Sequence, residues 1–136
     1  MTGKEYLLQI AVINRRIETL SEMAAHARSS AEYSSPSFEN MPKSPTRNIR
    51  KQEDAIIRAL EYDERIRAEQ EKLNEIRRTI DNIADPTAQA IIFKRYVEYK
   101  TWEAISCEMF FSLSHVYRLH NAAVDTLSAM RVNESS

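Results

Sequence analysis

Apolar residues in the first third of the chain recur at alternating spacings of three and four, as they do in paired helices. The series lies on one side of a single helix and consists of Tyr6, Ile10, Ile13, Ile17, Leu20, Ala24, Ala27 and Ala31. It is a heptad seam that narrows to alanine toward its end. Thr2 and Glu5 have the spacing of a capping box, which predicts that the helix starts there.

A second, longer helix is predicted from about Thr46 to about Ala84. Its charges are mixed, as on a solvated helix face, and at 1.5 Å per residue it would be about 55 Å long. Its apolar positions form a broken heptad series: Ile49, Ile56, Leu60, Ile66, Leu73, Ile76, Ile80 and Ile83. Asp63 and Gln70 interrupt this series, and polar residues in such a seam set its register at a cost in stability.

A helix of that length needs covering by the first helix, by a second chain or by both. The part of the seam that contains Ile66, Leu73 and Ile80 extends beyond what the alanine-rich end of the first helix can cover. We therefore expect a homodimer. The pattern leaves open whether the coiled region pairs within one chain or between two.

The chain divides into three predicted segments. Residues 1–84 form a helical hairpin or coiled coil, interrupted by a flexible linker at about residues 29–48, where serine is frequent and three of the four prolines lie. Residues 85–131 form a second domain, in which Asp85 caps a helix and Pro86 takes its first position. Residues 132–136 are a polar tail.

Two short helices follow, in the pattern of a helix-turn-helix. Thr101 is placed to cap the first, which buries Trp102, Ile105 and Met109, and the turn falls at Phe110 and Phe111. Ser112 is placed to cap the second. Its inward positions are Val116, Leu119, Ala123 and Leu127, and its outward positions are Ser114, His115, Tyr117, Arg118 and Asn121. This arrangement is typical of a helix presented to the DNA major groove.

Composition argues against enzymatic chemistry. The single glycine, Gly3, leaves no residue for a phosphate-cradling loop, a dinucleotide-binding turn or a nucleophile elbow. The single Cys107 excludes an internal disulfide and is expected to be a half-buried apolar residue. His26, His115 and His120 lack the spacing of metal ligands and are expected at the surface. We expect no enzyme, no cofactor and no metal.

The net charge and the hydropathy of the chain limit the classes of partner that it can bind. The net charge is −1, and basic and acidic residues balance from Pro86 onward, so a single copy should bind DNA weakly. No apolar run reaches the roughly 18 residues of a membrane span. The short apolar stretch from Tyr6 to Ile13 is followed by Asn14, Arg15 and Arg16 rather than by a cleavage site. We expect a cytoplasmic protein without a membrane or small-molecule partner.

Residues 91–127 resemble region 4 of the sigma-70 family of RNA polymerase factors. The matching segments are Arg95-Tyr96-Val97, Thr101-Trp102-Glu103-Ala104-Ile105, Phe111-Ser112, Val116-Tyr117-Arg118 and Ala122-Ala123 to Leu127. Phe110 departs from the pattern, which prefers glycine there. The whole chain also resembles, in architecture, phage and prophage regulators of Gram-positive bacteria, including the RinA and ArpU activators of late phage genes. The resemblance implies a sigma-region-4-like helix-turn-helix in an all-α protein.

The function expected from these features is sequence-specific binding of double-stranded DNA in transcription regulation. Arg118 is the candidate for a base-edge contact, because bidentate pairing of arginine with guanine is the commonest specific contact. The flanking candidates on the same helix are Ser114, Tyr117 and Asn121, and the candidates for phosphate contacts are His115, Lys100 and Thr101.

Two other interpretations remain open from the sequence. One is a non-enzymatic interaction protein that docks on RNA polymerase or another host protein through its coiled region and its helix-turn-helix; the near-neutral charge favours it. The other is a compact bundle that only caps a coiled coil, in which Arg118 pairs with an acidic neighbour such as Asp125.

Overall fold

The computed structural model describes residues 2–33 and 45–134, and within these ranges it contains helices and no strand. The predicted all-α class is confirmed. The elements, in chain order, are α1 (Gly3–Tyr33), α2 (Pro45–Asp81), α3 (Pro86–Ile92), a π-helical turn (Phe93–Val97), α4 (Trp102–Met109) and α5 (Leu113–Glu134).

The start of α1 follows from its capping box. The backbone N–H of Glu5 donates to Thr2 Oγ1, and the N–H of Thr2 donates to Glu5 Oε2, both at 3.2 Å. The two bonds satisfy donors that a helix N-terminus otherwise leaves without partners. This prediction is confirmed.

The long helices extend into the predicted linker from both sides. Helix α1 continues to Tyr33 and α2 begins at Pro45, so the linker predicted for residues 29–48 is too long at each end. Ser29 and Ser30 are exposed, where serine costs a helix only a few tenths of a kcal/mol. Proline is tolerated at the first position of α2 because its missing N–H would have no partner there. The rest of the predicted linker, residues 34–44, lies outside the described residues.

The C-terminal end of α2 is capped by a side chain of the next helix. The side-chain Nε2 of Gln89 donates to the carbonyl oxygens of Ile80 at 3.1 Å and of Asp81 at 3.2 Å. Asp85 Oδ1 accepts the N–H of Thr87 at 3.1 Å, which confirms the predicted cap of α3. Helix α2 thus ends at Asp81, three residues before the predicted Ala84.

Among the described residues, 14–33 and 45–71 form one compact unit, made of most of α1 and α2. Two ion pairs join these helices, Arg16 with Glu69 and Arg28 with Asp63. Because the partner's number in α2 falls as the number in α1 rises, the helices run antiparallel. The coiled region therefore pairs within the chain. The pair with Arg28 also gives Asp63, the polar residue in the predicted seam, its counter-charge.

The first half of α2 turns a different face inward from the predicted one. Ala55 and Ala59 are buried, whereas Ile49, Ile56 and Leu60 are 52–59% exposed. The predicted seam is wrong in this segment. The buried positions of α1 in the same unit include Ala24 and Ala27, so the small side chains of both helices are inside. Small residues let helix backbones approach closely, and large aliphatic residues would hold them apart.

The seam on which the dimer was predicted is covered within the chain. Leu73 is 8% exposed and Ile80 is 3% exposed, while Ile66 is half-buried. A second chain is therefore not needed to cover Leu73 and Ile80, and the stated reason for a dimer is wrong. The homodimer itself stays a prediction.

The described residues 2–13 and 72–134 form the other compact unit. This grouping adds the ends of α1 and α2 to the C-terminal helices, whereas the sequence predicted a boundary at residue 85. Its core contains Ile91, Ile105 and Val116, each 0% exposed, and the side chains packed against them are Trp102, Met109, Phe111 and Leu119. Phe111 thus packs between α4 and α5.

The single glycine lies where α1 contacts α5. The N–H of Gly3 donates to Ser128 Oγ at 2.7 Å, and a Cβ at this position would lie 2.4 Å from the carbonyl oxygen of Val124. A Gly3→Ala substitution should therefore push α1 away from the α5 backbone. We expect it to lower the free energy of unfolding by about 1–3 kcal/mol, measured by urea denaturation. The exposed Lys4→Ala control should change it by less than about 0.5 kcal/mol, and an equally small change in Gly3→Ala would contradict the close approach.

Candidate nucleic-acid interface

Helix α4 is capped by Thr101 at its N-terminus and by Phe110 at its C-terminus. Thr101 Oγ1 accepts the N–H of Ala104 at 3.1 Å, which confirms the predicted cap. The helix ends at Phe110, which adopts the left-handed conformation with φ 59° and ψ 36°. The N–H of Phe111 then donates to the carbonyl of Ser106 at 3.1 Å, as in a Schellman motif. The turn therefore forms without the glycine that usually occupies its left-handed position.

Helix α5 presents one apolar and one polar face. Ser112 Oγ accepts the N–H of His115 at 3.2 Å, which confirms the second predicted cap. The inward residues Val116, Ala123 and Leu127 are buried, and Leu119 is half-buried. Four of the predicted binding residues are exposed on the other side: Ser114, Tyr117, Arg118 and Asn121. The structure therefore places these four candidates on the outward side of one helix.

The fifth outward candidate, His115, is only half exposed and orients Arg118. Its ring meets the ring of Phe111 edge-on, with centroids 4.7 Å apart. The guanidinium NH2 of Arg118 lies 2.6 Å from His115 Nδ1. A guanidinium can only donate, so His115 Nδ1 accepts and its proton is on Nε2. Arg118 thus pairs with a neutral imidazole one turn earlier in α5.

The two candidates at the start of α4 already have partners. Lys100 Nζ lies 2.6 Å from Glu108 Oε1 and 3.6 Å from Glu98 Oε1. The hydrogen bond with Glu108 raises the pKa of Lys100 and lowers the pKa of Glu108. The hydroxyl of Thr101 accepts the capping bond of α4. A phosphate at this place would have to compete with two carboxylates for Lys100.

His120 lies inside, contrary to the prediction that it is a surface residue. It is 5% exposed. Its Nε2 is 2.6 Å from the hydroxyl of Tyr96, and its Nδ1 is 3.1 Å from Asn121 Oδ1. Because the amide oxygen can only accept, Nδ1 carries the proton and Tyr96 donates to Nε2. The helical spacing contained this signal, since His120 falls between the inward positions Val116 and Ala123.

Trp102 connects this buried pair to the outward face. Its ring meets the rings of Tyr117 and His120 edge-on, at centroid distances of 5.1 and 4.7 Å. The guanidinium of Arg95 lies 4.4 Å from the Trp102 ring centroid and donates to the carbonyl of Lys100 at 3.0 Å. Tyr117 therefore contacts a fixed ring, although its own ring is partly exposed.

Two backbone features near the site have no counterpart in the sequence pattern. The π-helical turn closes with the N–H of Glu98 donating to the carbonyl of Phe93 at 3.1 Å, and Tyr99 follows with φ 57°. A π-helical turn of this kind is frequent at functional sites.

Cys107, expected half-buried, is exposed, because α4 turns Ile105 and Met109 inward instead.

The burial of His120 makes unfolding depend on pH. Desolvation lowers the pKa of His120, and the nearby charges of Lys4 and Arg95 lower it further, against the opposing hydrogen bond to Asn121. Above about pH 6.5, the usual histidine pKa, the ring of His120 is neutral in the folded and in the unfolded protein, and its burial then costs no free energy of unfolding. Below it the unfolded state binds the proton first. We therefore expect the free energy of unfolding to fall from pH 6.5 toward the lowered pKa, by up to about 1.4 kcal/mol per pH unit.

The measurement is urea denaturation at pH 7.5 and 5.5 of the parent and of two histidine variants. His120→Gln should lose part of the difference between the two pH values, whereas the exposed His26→Gln should keep it. An unchanged difference in His120→Gln would show that this histidine does not carry the effect.

Replacing Phe110 by glycine should stabilise the protein, because glycine adopts the left-handed conformation at this position without strain. Phe110 is 94% exposed, so its ring adds almost no buried area, whereas a left-handed conformation costs a residue with a Cβ about 1–2 kcal/mol. Phe110→Gly is expected to raise the free energy of unfolding by about 0.5–1 kcal/mol. Phe110→Ala keeps the strain and should differ little from the parent in the same urea experiment. A loss of stability in both variants would show that the ring packs.

No cluster of three or more potential metal ligands occurs among the residues that the structure describes. The described helices also include none that is long and apolar enough to cross a bilayer.

A family model described as "Protein of unknown function (DUF722)" matches residues 12–129. No similar protein was found among curated proteins, and no similar chain among solved structures.

Proposed function

The chain belongs to the DUF722 family, and we propose that it is a sequence-specific DNA-binding transcription regulator that acts as a homodimer. The observation that carries the proposal is the polar outward side of α5. Ser114, Tyr117, Arg118 and Asn121 are exposed there, while the inward side of the same helix is held in the core. A helix held on one side and polar on the other suits the major groove.

Arg118 is the residue to which we assign base recognition. Its hydrogen bond to His115 Nδ1 uses one of the five guanidinium donors, and the others can form the bidentate pair with guanine O6 and N7. Because Arg118 is exposed, this contact would not bury an unpaired charge. His115 assists by limiting the conformations of Arg118 before DNA binds.

His115, Lys100 and Thr101 are assigned to phosphate contacts. The neutral tautomer of His115 leaves its Nε2–H as a donor to a phosphate oxygen. Lys100 would exchange Glu108 for a phosphate, so its net contribution should be small. Phosphate contacts fix the position of the helix on the duplex without distinguishing sequences.

The near-neutral charge of the chain explains why we propose a dimer. A single module with a balanced charge gains little from counterion release, whereas two linked modules bind with the advantage of a high effective concentration. Simultaneous contact with RNA polymerase would act in the same way. The resemblance to phage regulators makes late-gene activation in the cytoplasm the proposed biological setting.

The test is a gel-shift experiment with DNA from upstream of the genes that adjoin the coding sequence, with and without RNA polymerase. We expect a retarded complex that an unrelated duplex of equal length does not displace. Polymerase should strengthen the complex. Equal displacement by the unrelated duplex would contradict sequence-specific binding.

A second candidate function is a non-enzymatic protein that docks on RNA polymerase or another host protein. The observation in its favour is the ring of Phe110, 94% exposed at the turn between α4 and α5, since an exposed aromatic ring can insert into a pocket of a partner protein. It predicts that polymerase co-sediments with the parent without DNA and less with Phe110→Ser. DNA binding without polymerase distinguishes the first candidate from this one.

A further inference from the structure

A chain of hydrogen bonds runs from the core to Asn121 on the outward side of α5. The hydroxyl of Tyr96 lies 2.6 Å from His120 Nε2, and His120 Nδ1 lies 3.1 Å from Asn121 Oδ1. Tyr96 and His120 are both 5% exposed, whereas Asn121 is exposed. The imidazole therefore connects a buried hydroxyl to an exposed side chain on the same side of the helix as Arg118.

The core determines which nitrogen of this imidazole carries the proton. Desolvation lowers the pKa of His120, as do the positive charges of Lys4 and Arg95, so the ring is neutral at neutral pH. The buried Tyr96 hydroxyl needs an acceptor for its proton, and His120 Nε2 lies within hydrogen-bond distance of it. A neutral imidazole has one donor and one acceptor nitrogen, so Nδ1 then carries the proton. Asn121 must therefore turn its oxygen, rather than its amino group, toward His120.

Two aromatic rings hold the imidazole of His120 in this orientation. The ring of Tyr96 lies 5.7 Å from it with the planes 20° apart, and the ring of Trp102 meets it edge-on at 4.7 Å. The guanidinium of Arg95 in turn lies 4.4 Å from the centre of the Trp102 ring. A half-turn of the imidazole would place ring carbons against the Tyr96 hydroxyl and the Asn121 oxygen, and both bonds would be lost. The direction of the Asn121 amide is thus fixed before DNA binds.

We propose that Asn121 recognises adenine in the major groove and that His120 is the residue that positions it. The bond from His120 uses one of the two lone pairs of the amide oxygen, so one acceptor site and two N–H donors remain. Adenine presents one acceptor, N7, and one donor, the N6 amino group, and pairs bidentately with an asparagine amide. Guanine presents two acceptors, O6 and N7, so the amide oxygen would find no donor there. A phosphate also offers acceptors only, and contact with it would not use the oriented oxygen.

The place of Asn121 in α5 indicates where the adenine should lie. Asn121 follows Arg118 by three residues, about 4.5 Å along the helix axis, and both are exposed. Base pairs are about 3.4 Å apart, so the adenine should lie within about two base pairs of the guanine assigned to Arg118. The exposed acidic Asp125 follows one turn later, where it would repel phosphates, so the contact with DNA should end near Asn121. This assignment rests on the proposed DNA-binding function and adds a second base to it.

The first test needs no DNA. Two-dimensional proton–nitrogen spectra of the full chain at pH 8 show which ring nitrogen of each histidine carries the proton, and His26→Gln and His115→Gln assign the signals. His120 should be protonated at Nδ1. The internal control is His115, whose Nδ1 accepts from Arg118 and which should be protonated at Nε2. A His120 ring protonated at Nε2 would overturn the positioning role, because Asn121 would then turn its amino group inward.

The second test measures base preference, by selection from a random-sequence pool and then by fluorescence anisotropy on duplexes that differ at one base pair. The parent should prefer adenine close to the guanine that Arg118→Ala no longer requires. Asn121→Ala should lose at least about fivefold of the adenine preference, the lower limit for a bidentate pair, and keep the guanine preference. Because Asn121 is exposed, this variant should fold as the parent does. A motif unchanged in Asn121→Ala would overturn the assignment alone, whereas a parent that selects no motif would overturn it together with the proposed function.

Two substitutions of His120 separate positioning from a purely structural role. His120→Asn keeps an N–H donor where Nδ1 lies, whereas His120→Phe keeps a ring without the donor, and both remove the acceptor of the Tyr96 hydroxyl. His120→Asn should keep the adenine preference within about twofold, and His120→Phe should lose about three- to tenfold of it, because a free amide can turn over and pair with other bases. Both should keep the guanine preference, a ratio that does not depend on the fraction of folded protein. Equal adenine preferences in the two variants, or loss of both preferences in His120→Phe, would overturn the positioning role.

Discussion

Replacing Ile105 by alanine is expected to lower the free energy of unfolding by about 2–5 kcal/mol, the range for removing a large aliphatic side chain from a packed core. Ile105 is 0% exposed and lies in one cluster with Ile91 and Val116. Trp102 and Phe111 pack against this cluster from α4 and from the turn, so the cavity would open beneath the contact between α4 and α5.

Urea denaturation with two control variants tests this expectation. Ile105→Val removes one methylene group and should cost about 0.5–1.5 kcal/mol. Leu113→Ala alters a side chain that is 37% exposed and should cost less than the same change at a fully buried site. If Ile105→Ala cost no more than Ile105→Val, the packing of α4 on α5 would have to be revised.

Arg118→Ala is expected to weaken binding to the preferred DNA by about 1–3 kcal/mol, or roughly fivefold to 150-fold, as for the loss of a bidentate pair with guanine. The fold should be unaffected, because Arg118 is exposed and its bond to His115 is on the surface. Fluorescence anisotropy with labelled duplexes measures the change, and urea denaturation checks stability.

Lys100→Ala is the matched control for a contact that carries no sequence information. It should weaken binding to all duplexes about equally and reduce the salt dependence slightly. Its effect should be smaller than that of Arg118→Ala, because Lys100 would have to give up its pairing with Glu108 and Glu98 to contact a phosphate. A loss in Arg118→Ala that is equal for all duplexes would mean that Arg118 also contacts only phosphate.

The helix starts were predictable from local chemistry. Thr2, Asp85, Thr101 and Ser112 each accept a backbone N–H that their own helix leaves without a partner. A cap of this kind depends on only three or four neighbouring residues, so the sequence contains all of the information. The inward positions of α5 follow in the same way from helical spacing.

The inward face of α2 was not predictable from its own pattern. Its first half contains large aliphatic residues on one side and Ala55 and Ala59 on another, and hydrophobicity alone favours the larger ones. The structure buries the alanines. The choice depends on the width of the space beside α1, and that width is a property of two helices together.

The sequence predicted the outward residues of the candidate site, but not the side chains that hold them in place. Tyr117 and Arg118 were identified by spacing, but the contact of Trp102 with Tyr117 and the bond of His115 to Arg118 depend on side-chain conformations. The left-handed backbone conformation of Phe110 could not be predicted, for a different reason. Its conformation is imposed by the helices on either side, against the preference of the residue itself.

Selection of bound duplexes from a random-sequence pool, done in parallel with the parent and with Arg118→Ala, tests the central claim most directly. The parent should enrich a motif of two related half-sites that contains a strongly preferred guanine. Arg118→Ala should enrich the same motif with the preference for that guanine lost and the other positions kept. Identical motifs from the two proteins, or no motif from the parent, would contradict DNA recognition by the outward side of α5.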